Sequence, residues 1–140
     1  VAYGYGNGSF QHPDSISNPD LSHADLLLFE DLNNDTYVDL VVRFEEESKI
    51  FVYLGRQDHL FPSIRGHEVN ISAYFWHMAL ADFNADGILD LVYGIYDGSF
   101  IIHLGVGDGS FHLTQSHPTT SGESLIEAMP CDVNGDGRVD

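Results

Sequence analysis

The stretch Asp82-Phe83-Asn84-Ala85-Asp86-Gly87-Ile88-Leu89-Asp90 decides the fold of this chain, because it occurs three times. The first copy is Asp31-Leu32-Asn33-Asn34-Asp35-Thr36-Tyr37-Val38-Asp39, and the third is Asp132-Val133-Asn134-Gly135-Asp136-Gly137-Arg138-Val139-Asp140. Each copy carries side-chain oxygens at positions 1, 3, 5 and 9. Hard cations such as calcium collect about six to eight oxygen ligands, and alternate residues of a tightly curled loop can aim their oxygens at one centre. Position 6 must turn sharply, which favours glycine. Position 7 is Tyr37, Ile88 or Arg138, side chains with no shared chemistry, which suits a backbone carbonyl ligand. The candidate metal ligands are therefore Asp31, Asn33, Asp35, Tyr37 and Asp39; Asp82, Asn84, Asp86, Ile88 and Asp90; and Asp132, Asn134, Asp136, Arg138 and Asp140. Asp, Asn and Gly also build ordinary polar turns. Three copies in one register favour the metal, and up to three calcium ions are expected.

An EF-hand loop closes with a bidentate Glu at position 12. Here that position is Val42 or Tyr93, and the third copy ends before reaching it. Immediately after position 9 come Leu40-Val41-Val42 or Leu91-Val92-Tyr93, short apolar runs that read as buried strands rather than helices. These loops hand over directly to β-strands.

The loops recur after 51 and 50 residues, and a second landmark keeps the same beat. Leu54-Gly55-Arg56-Gln57-Asp58-His59-Leu60-Phe61 aligns with Leu104-Gly105-Val106-Gly107-Asp108-Gly109-Ser110-Phe111 and with Tyr3-Gly4-Tyr5-Gly6-Asn7-Gly8-Ser9-Phe10. Each of these Phe residues precedes the next loop's first Asp by 21 residues. One period holds about four short strands joined by Asp-Gly-type turns, which is the composition of a propeller blade. The expected fold is all-β, with four-stranded β-propeller-type blades in about three repeats, incomplete at both ends. Residues 1–22 would end one blade, 23–73 and 74–123 would form two more, and 124–140 would begin another.

The whole chain resembles the FG-GAP/VCBS repeat of integrin-α-type β-propellers. The resemblance rests on the D-x-N-x-D-G-x-x-D-L pattern, the apolar strand after it, and the L-G-x-G-D-G-x-F turn. It implies a calcium loop on a propeller rim, with Asp82, Asn84, Asp86, the Ile88 carbonyl and Asp90 as ligands, and the matching residues in the other loops. Thr36 departs from the pattern by standing where glycine is expected, which predicts a strained turn. The literal Phe-Gly and Gly-Ala-Pro signatures are absent, so the match lies closer to the VCBS side.

Fewer than three periods do not close a propeller, whose blades number about four to eight. Repeats need stacked neighbours, and open edge strands invite pairing. The expected partners are further repeats of the same or neighbouring chains, with a fragment, an ordered part of a larger chain, or a ring- or fibre-forming subunit as the options. The missing initiator Met fits a processed or partial chain.

The chain has 22 Asp and Glu against five Lys and Arg, a formal charge of −17. Three divalent ions would offset about six of those charges. With no basic patch, nucleic acid and anionic membranes are disfavoured partners, and no apolar run reaches membrane-spanning length. One cysteine, Cys131, excludes an internal disulfide framework. Sequons at Asn7, Asn34 and Asn70, with calcium loops suited to millimolar calcium, favour an extracellular protein.

Eight histidines are scattered without metal-binding spacing, and no nucleophile elbow or phosphate-binding loop is present, so no enzyme activity is expected. Strands are predicted over Ala24–Phe29, Val38–Phe44, Lys49–Leu54, Leu60–Arg65, Leu89–Gly94 and Ser99–Leu104, and Leu125–Met129 leads into the third loop. The aromatic run Tyr74-Phe75-Trp76 reads as inter-blade core, or alternatively as a sugar-stacking platform. The expected function is a calcium-stabilised extracellular repeat module for adhesion, recognition or assembly. The alternatives are a glycan-binding lectin-like propeller and a non-catalytic arm of a larger secreted enzyme.

Overall fold

Among the described residues, short apolar runs separated by polar loops build eight strands in two sheets. A computed structural model describes residues 5–9, 23–57, 61, 66–71, 75–118 and 129–139. The first sheet is an antiparallel meander of β1 (Ala24–Glu30), β2 (Asp39–Phe44), β3 (Lys49–Tyr53) and β4 (His67–Asn70). The second repeats it with β5 (Met78–Ala81), β6 (Asp90–Gly94), β7 (Ser99–Gly105) and β8 (Phe111–Pro118). The expected all-β, propeller-type repeat is the fold observed. The Gln11–Ser22 loop, Tyr74, Asp140 and nearly all of the Leu125–Met129 segment lie outside the described residues.

Each loop–strand–hairpin unit has a local cause. β2 is buried along its whole length, which is why it reads as a continuous apolar run rather than an alternation. Its residues divide between two faces. Val41 pairs with Val52 and Arg43 with Ile50 on one face, while Leu40 pairs with Tyr53 and Val42 with Phe51 on the other. The Glu45–Glu47 segment makes a single 3-10 turn, and Ser48 completes the reversal at φ 52°. In the second sheet the corresponding turn is Tyr96-Asp97-Gly98, with glycine taking the left-handed position.

Of the expected Leu60–Arg65 strand, Phe61 lies outside any strand, and Leu60 and residues 62–65 lie outside the described residues. The outer strand of the first sheet runs over His67–Asn70. The cause is the pattern His67-Glu68-Val69-Asn70, in which Val69 is buried while Glu68 and Asn70 face outward. Glu68 also pairs with Lys49 of β3 at 2.7 Å.

The main core lies between the sheets. Val41, Ile50, Val52 and Val69 of the first meet Met78, Leu91, Tyr93 and Ile101 of the second, joined by Leu32 and Phe75 from the connections. Fully burying one such side chain contributes about 1.5–3 kcal/mol. A stacked column crosses this core. The Arg43 guanidinium lies 4.7 Å from the Phe75 ring centre, Phe75 stacks on Tyr93 at 4.4 Å, and Tyr93 stacks on His103 at 5.6 Å. Arg43 also donates to the Phe75 carbonyl and forms a two-pronged pair with Asp25 of β1. Thus one buried cation ties β1, β2 and the segment leading into the second sheet. The aromatic run is divided by this packing: Phe75 is core, whereas Trp76 is half exposed and meets Tyr96 edge-on. No helix among the described residues is long and apolar enough to cross a membrane.

Candidate metal centre

The two loops described in full, Asp31–Asp39 and Asp82–Asp90, connect the first strand of a sheet to its second. They curl by the same hydrogen bonds. In the first, Asp31 accepts the N–H groups of Asp35 at 3.2 Å and Thr36 at 2.8 Å. Asn33 Oδ1 accepts the Asp35 N–H, and Asp35 Oδ1 accepts the Tyr37 N–H. In the second, Asp82 accepts from Asp86 at 3.1 Å and Gly87 at 2.8 Å, Asn84 from Asp86, and Asp86 from Ile88. The Asn amide of each loop donates to the position-5 carboxylate. The third loop keeps the pattern: Asp132 accepts from Gly135, Asp136 and Gly137, Asn134 from Asp136, and Asp136 from Arg138. These bonds hold Asp132 below the usual carboxylate range, the Gly137 N–H contributing most.

Backbone conformation explains the glycines. Position 6 is left-handed throughout: Thr36 at φ 75°, Gly87 at 84° and Gly137 at 83°. Thr36 is β-branched, so the predicted strain is present. Position 4 is left-handed too, in Asn34 at 57°, Ala85 at 60° and Gly135 at 79°. That requirement was not legible in the sequence, because three different residues share it.

Position 9 does something the spacing did not reveal. Asp39 and Asp90 are fully buried. Asp39 accepts the Leu32 N–H at 2.8 Å and the Gly55 N–H at 2.7 Å. Asp90 does the same with Phe83 at 2.9 Å and Gly105 at 2.9 Å. Each carboxylate therefore straps the start of its loop to the Leu-Gly corner at the end of the third strand. A β-carbon on Gly55 or Gly105 would collide with the carbonyl oxygen of Val38 or Leu89. The two sequence landmarks keep the same beat because they touch. Burial raises the Asp39 carboxyl above its ordinary range; its two N–H donors pull the other way, and the Asp35 and Asp31 charges push it further up.

Among the described residues, no three acidic, histidine or cysteine side chains converge closely enough to hold a metal by themselves. Position 3 is an amide, and position 9 is turned to its two N–H donors. Any ion would thus need the Asn oxygen, a backbone carbonyl or water as well. The donor chemistry fits a hard cation, since it is oxygen throughout, and an ionised carboxylate keeps lone pairs beyond those its N–H donors use.

The FG-GAP-like repeat family matches residues 31–93 and 82–140, two overlapping spans that each begin at a loop. The chain belongs to the FG-GAP-like repeat family. Comparison with curated proteins and with solved structures gave no match. As an FG-GAP-like chain it is a β-propeller-type repeat module whose period, from loop to strand to Leu-Gly corner, is the unit seen in each sheet. Sequence reading of the FG-GAP-like unit missed Arg43 and Asp25. A lone Arg inside an apolar run, followed by an aromatic cluster, was the available signal.

Proposed function

We propose that this chain is a calcium-stabilised repeat module that works outside cells in adhesion, recognition or assembly, without catalysis of its own. The observation that carries the proposal is the shared hydrogen-bond set of the loops, which gathers three oxygen-bearing side chains on one tight turn in two complete copies. Asp31, Asn33 and Asp35, with the Tyr37 carbonyl and Asp39, would hold one ion. Asp82, Asn84, Asp86, the Ile88 carbonyl and Asp90 would hold a second, and Asp132, Asn134, Asp136, the Arg138 carbonyl and Asp140 a third. The ion would supply positive charge among carboxylates that otherwise repel. Calorimetric titration of the metal-free chain with calcium tests this. Heat saturating at two or three ions per chain, weakened by Asp82→Asn and Asp86→Asn, supports it; no calcium-specific heat contradicts it.

The partner class comes from equivalent positions. Met78, Leu80 and Leu89 of the second repeat pack into the inter-sheet core. The matching residues of the first, Leu27, Phe29 and Val38, are 45–53% exposed. A further blade, from this polypeptide or a neighbouring one, is the surface that fits there. The lectin alternative is weakened at Phe75, whose ring is committed to the core.

A further inference from the structure

We propose that Asn7 is the residue of this chain that carries an N-linked oligosaccharide, and that Asn34 and Asn70 stay bare. The proposal rests on the extracellular reading above. Asn7-Gly8-Ser9 is a closed polar turn: Asn7 Oδ1 accepts both the Ser9 N–H at 3.0 Å and the Ser9 hydroxyl at 2.6 Å. A backbone bond from Tyr5 N–H to the Ser9 carbonyl closes it at 2.9 Å. All these bonds span four residues or fewer, so the turn draws on no distant part of the chain. The same geometry recurs at Asp97–Ser99 and Asp108–Ser110, where Asp replaces Asn and no amide is offered.

Access is open as well. Residues 5–9 are exposed, Gly6 and Gly8 are left-handed, and a β-carbon on either would meet nothing within 4 Å. Among the described residues nothing accepts from Asn7 Nδ2. The other two sequons differ. At Asn34 the Thr36 N–H is taken by Asp31 Oδ2, so the Asn34 turn cannot close in the same way. Asn70 is in the extended strand β4, opposite Lys49. Chemically, the Asn7 amide nitrogen would displace the pyrophosphate of a lipid-linked oligosaccharide at its anomeric carbon. A C–N bond replaces the C–O bond, the lipid pyrophosphate leaves, and the amide proton passes to a base of the transferase.

The test directs the full 140-residue chain into the secretory pathway of a eukaryotic cell and reads glycan occupancy by site-resolved mass spectrometry on cell-associated and secreted material together. Pooling both fractions removes dependence on folding yield. The expected result is a majority of Asn7 occupied, loss of that glycan in Ser9→Ala, and less than a tenth occupancy at Asn34 and Asn70. A bare Asn7, or higher occupancy at either other site, overturns the proposal. Because the pathway is imposed, this result is independent of whether the calcium or extracellular reading holds.

Discussion

Backbone strain and one buried imidazole are the most exposed consequences at the residue scale. Thr36 holds φ at 75°, where an L-residue costs about 1–2 kcal/mol and glycine costs little. Thr36→Gly should therefore raise stability by about 1 kcal/mol in urea unfolding, after the extra freedom glycine gives the unfolded chain; an unchanged midpoint would contradict the strain. His103 is buried, bonds the Tyr93 hydroxyl at 3.2 Å, and holds its proton less tightly than the ordinary 6.5 because burial disfavours the cation. The unfolded chain then binds more protons below that pH. Stability from this site is complete above about 6.5 and drains as pH falls below it. The melting temperature of the wild type should drop between pH 7 and 5 more than that of His103→Gln. The single tryptophan, Trp76, sits next to Phe75 of the same column and gives a fluorescence readout of the opening. Parallel pH curves for the two proteins would remove His103 from the explanation.

Elements are held by two devices that spacing alone did not display. The strap from Asp39 or Asp90 to the Leu-Gly corner leaves no room for a side chain at Gly55 or Gly105. Gly105→Ala should cost about 2–3 kcal/mol, and the loss should be as large in chelator as in calcium, because the collision is with the Leu89 carbonyl and not with an ion. A loss seen only with calcium would place Gly105 at the metal instead. The clasp at Arg43 is the second device. Its side chain is 5% exposed, so Asp25→Ala would leave a buried guanidinium without its carboxylate at a cost of about 3 kcal/mol. Double-mutant analysis with Phe75→Leu should show coupling across the sheets, and additive losses would deny it. The sequence displayed the loops, β2, β3, β6 and β7, because buried central strands write themselves as unbroken apolar runs such as Leu40–Val42. It concealed β4, where Val69 is the single inward apolar residue. It concealed the strap because Asp at position 9 looks like any other loop acid until its fully buried carboxylate is seen between two N–H groups.

At the scale of the whole molecule, two FG-GAP-like sheets share one core while acidic loops lie at their strand connections. A formal charge of −17 works against compaction, and the loops concentrate a large share of it. Binding of divalent ions to the folded chain alone would stabilise it by mass action, about 2.7 kcal/mol when free calcium is 100 times the dissociation constant. On the proposed reading, the exposed Leu27, Phe29 and Val38 would add a second dependence, on another blade to cover them. The most direct measurement is a thermal melt of the purified chain in millimolar calcium and again in excess chelator, with particle mass recorded in both. The melting temperature should fall by several degrees on chelation and recover with calcium but not with an equal ionic strength of sodium chloride. A melt that ignores calcium would reduce the three loops to acidic turns and remove calcium from the proposed function.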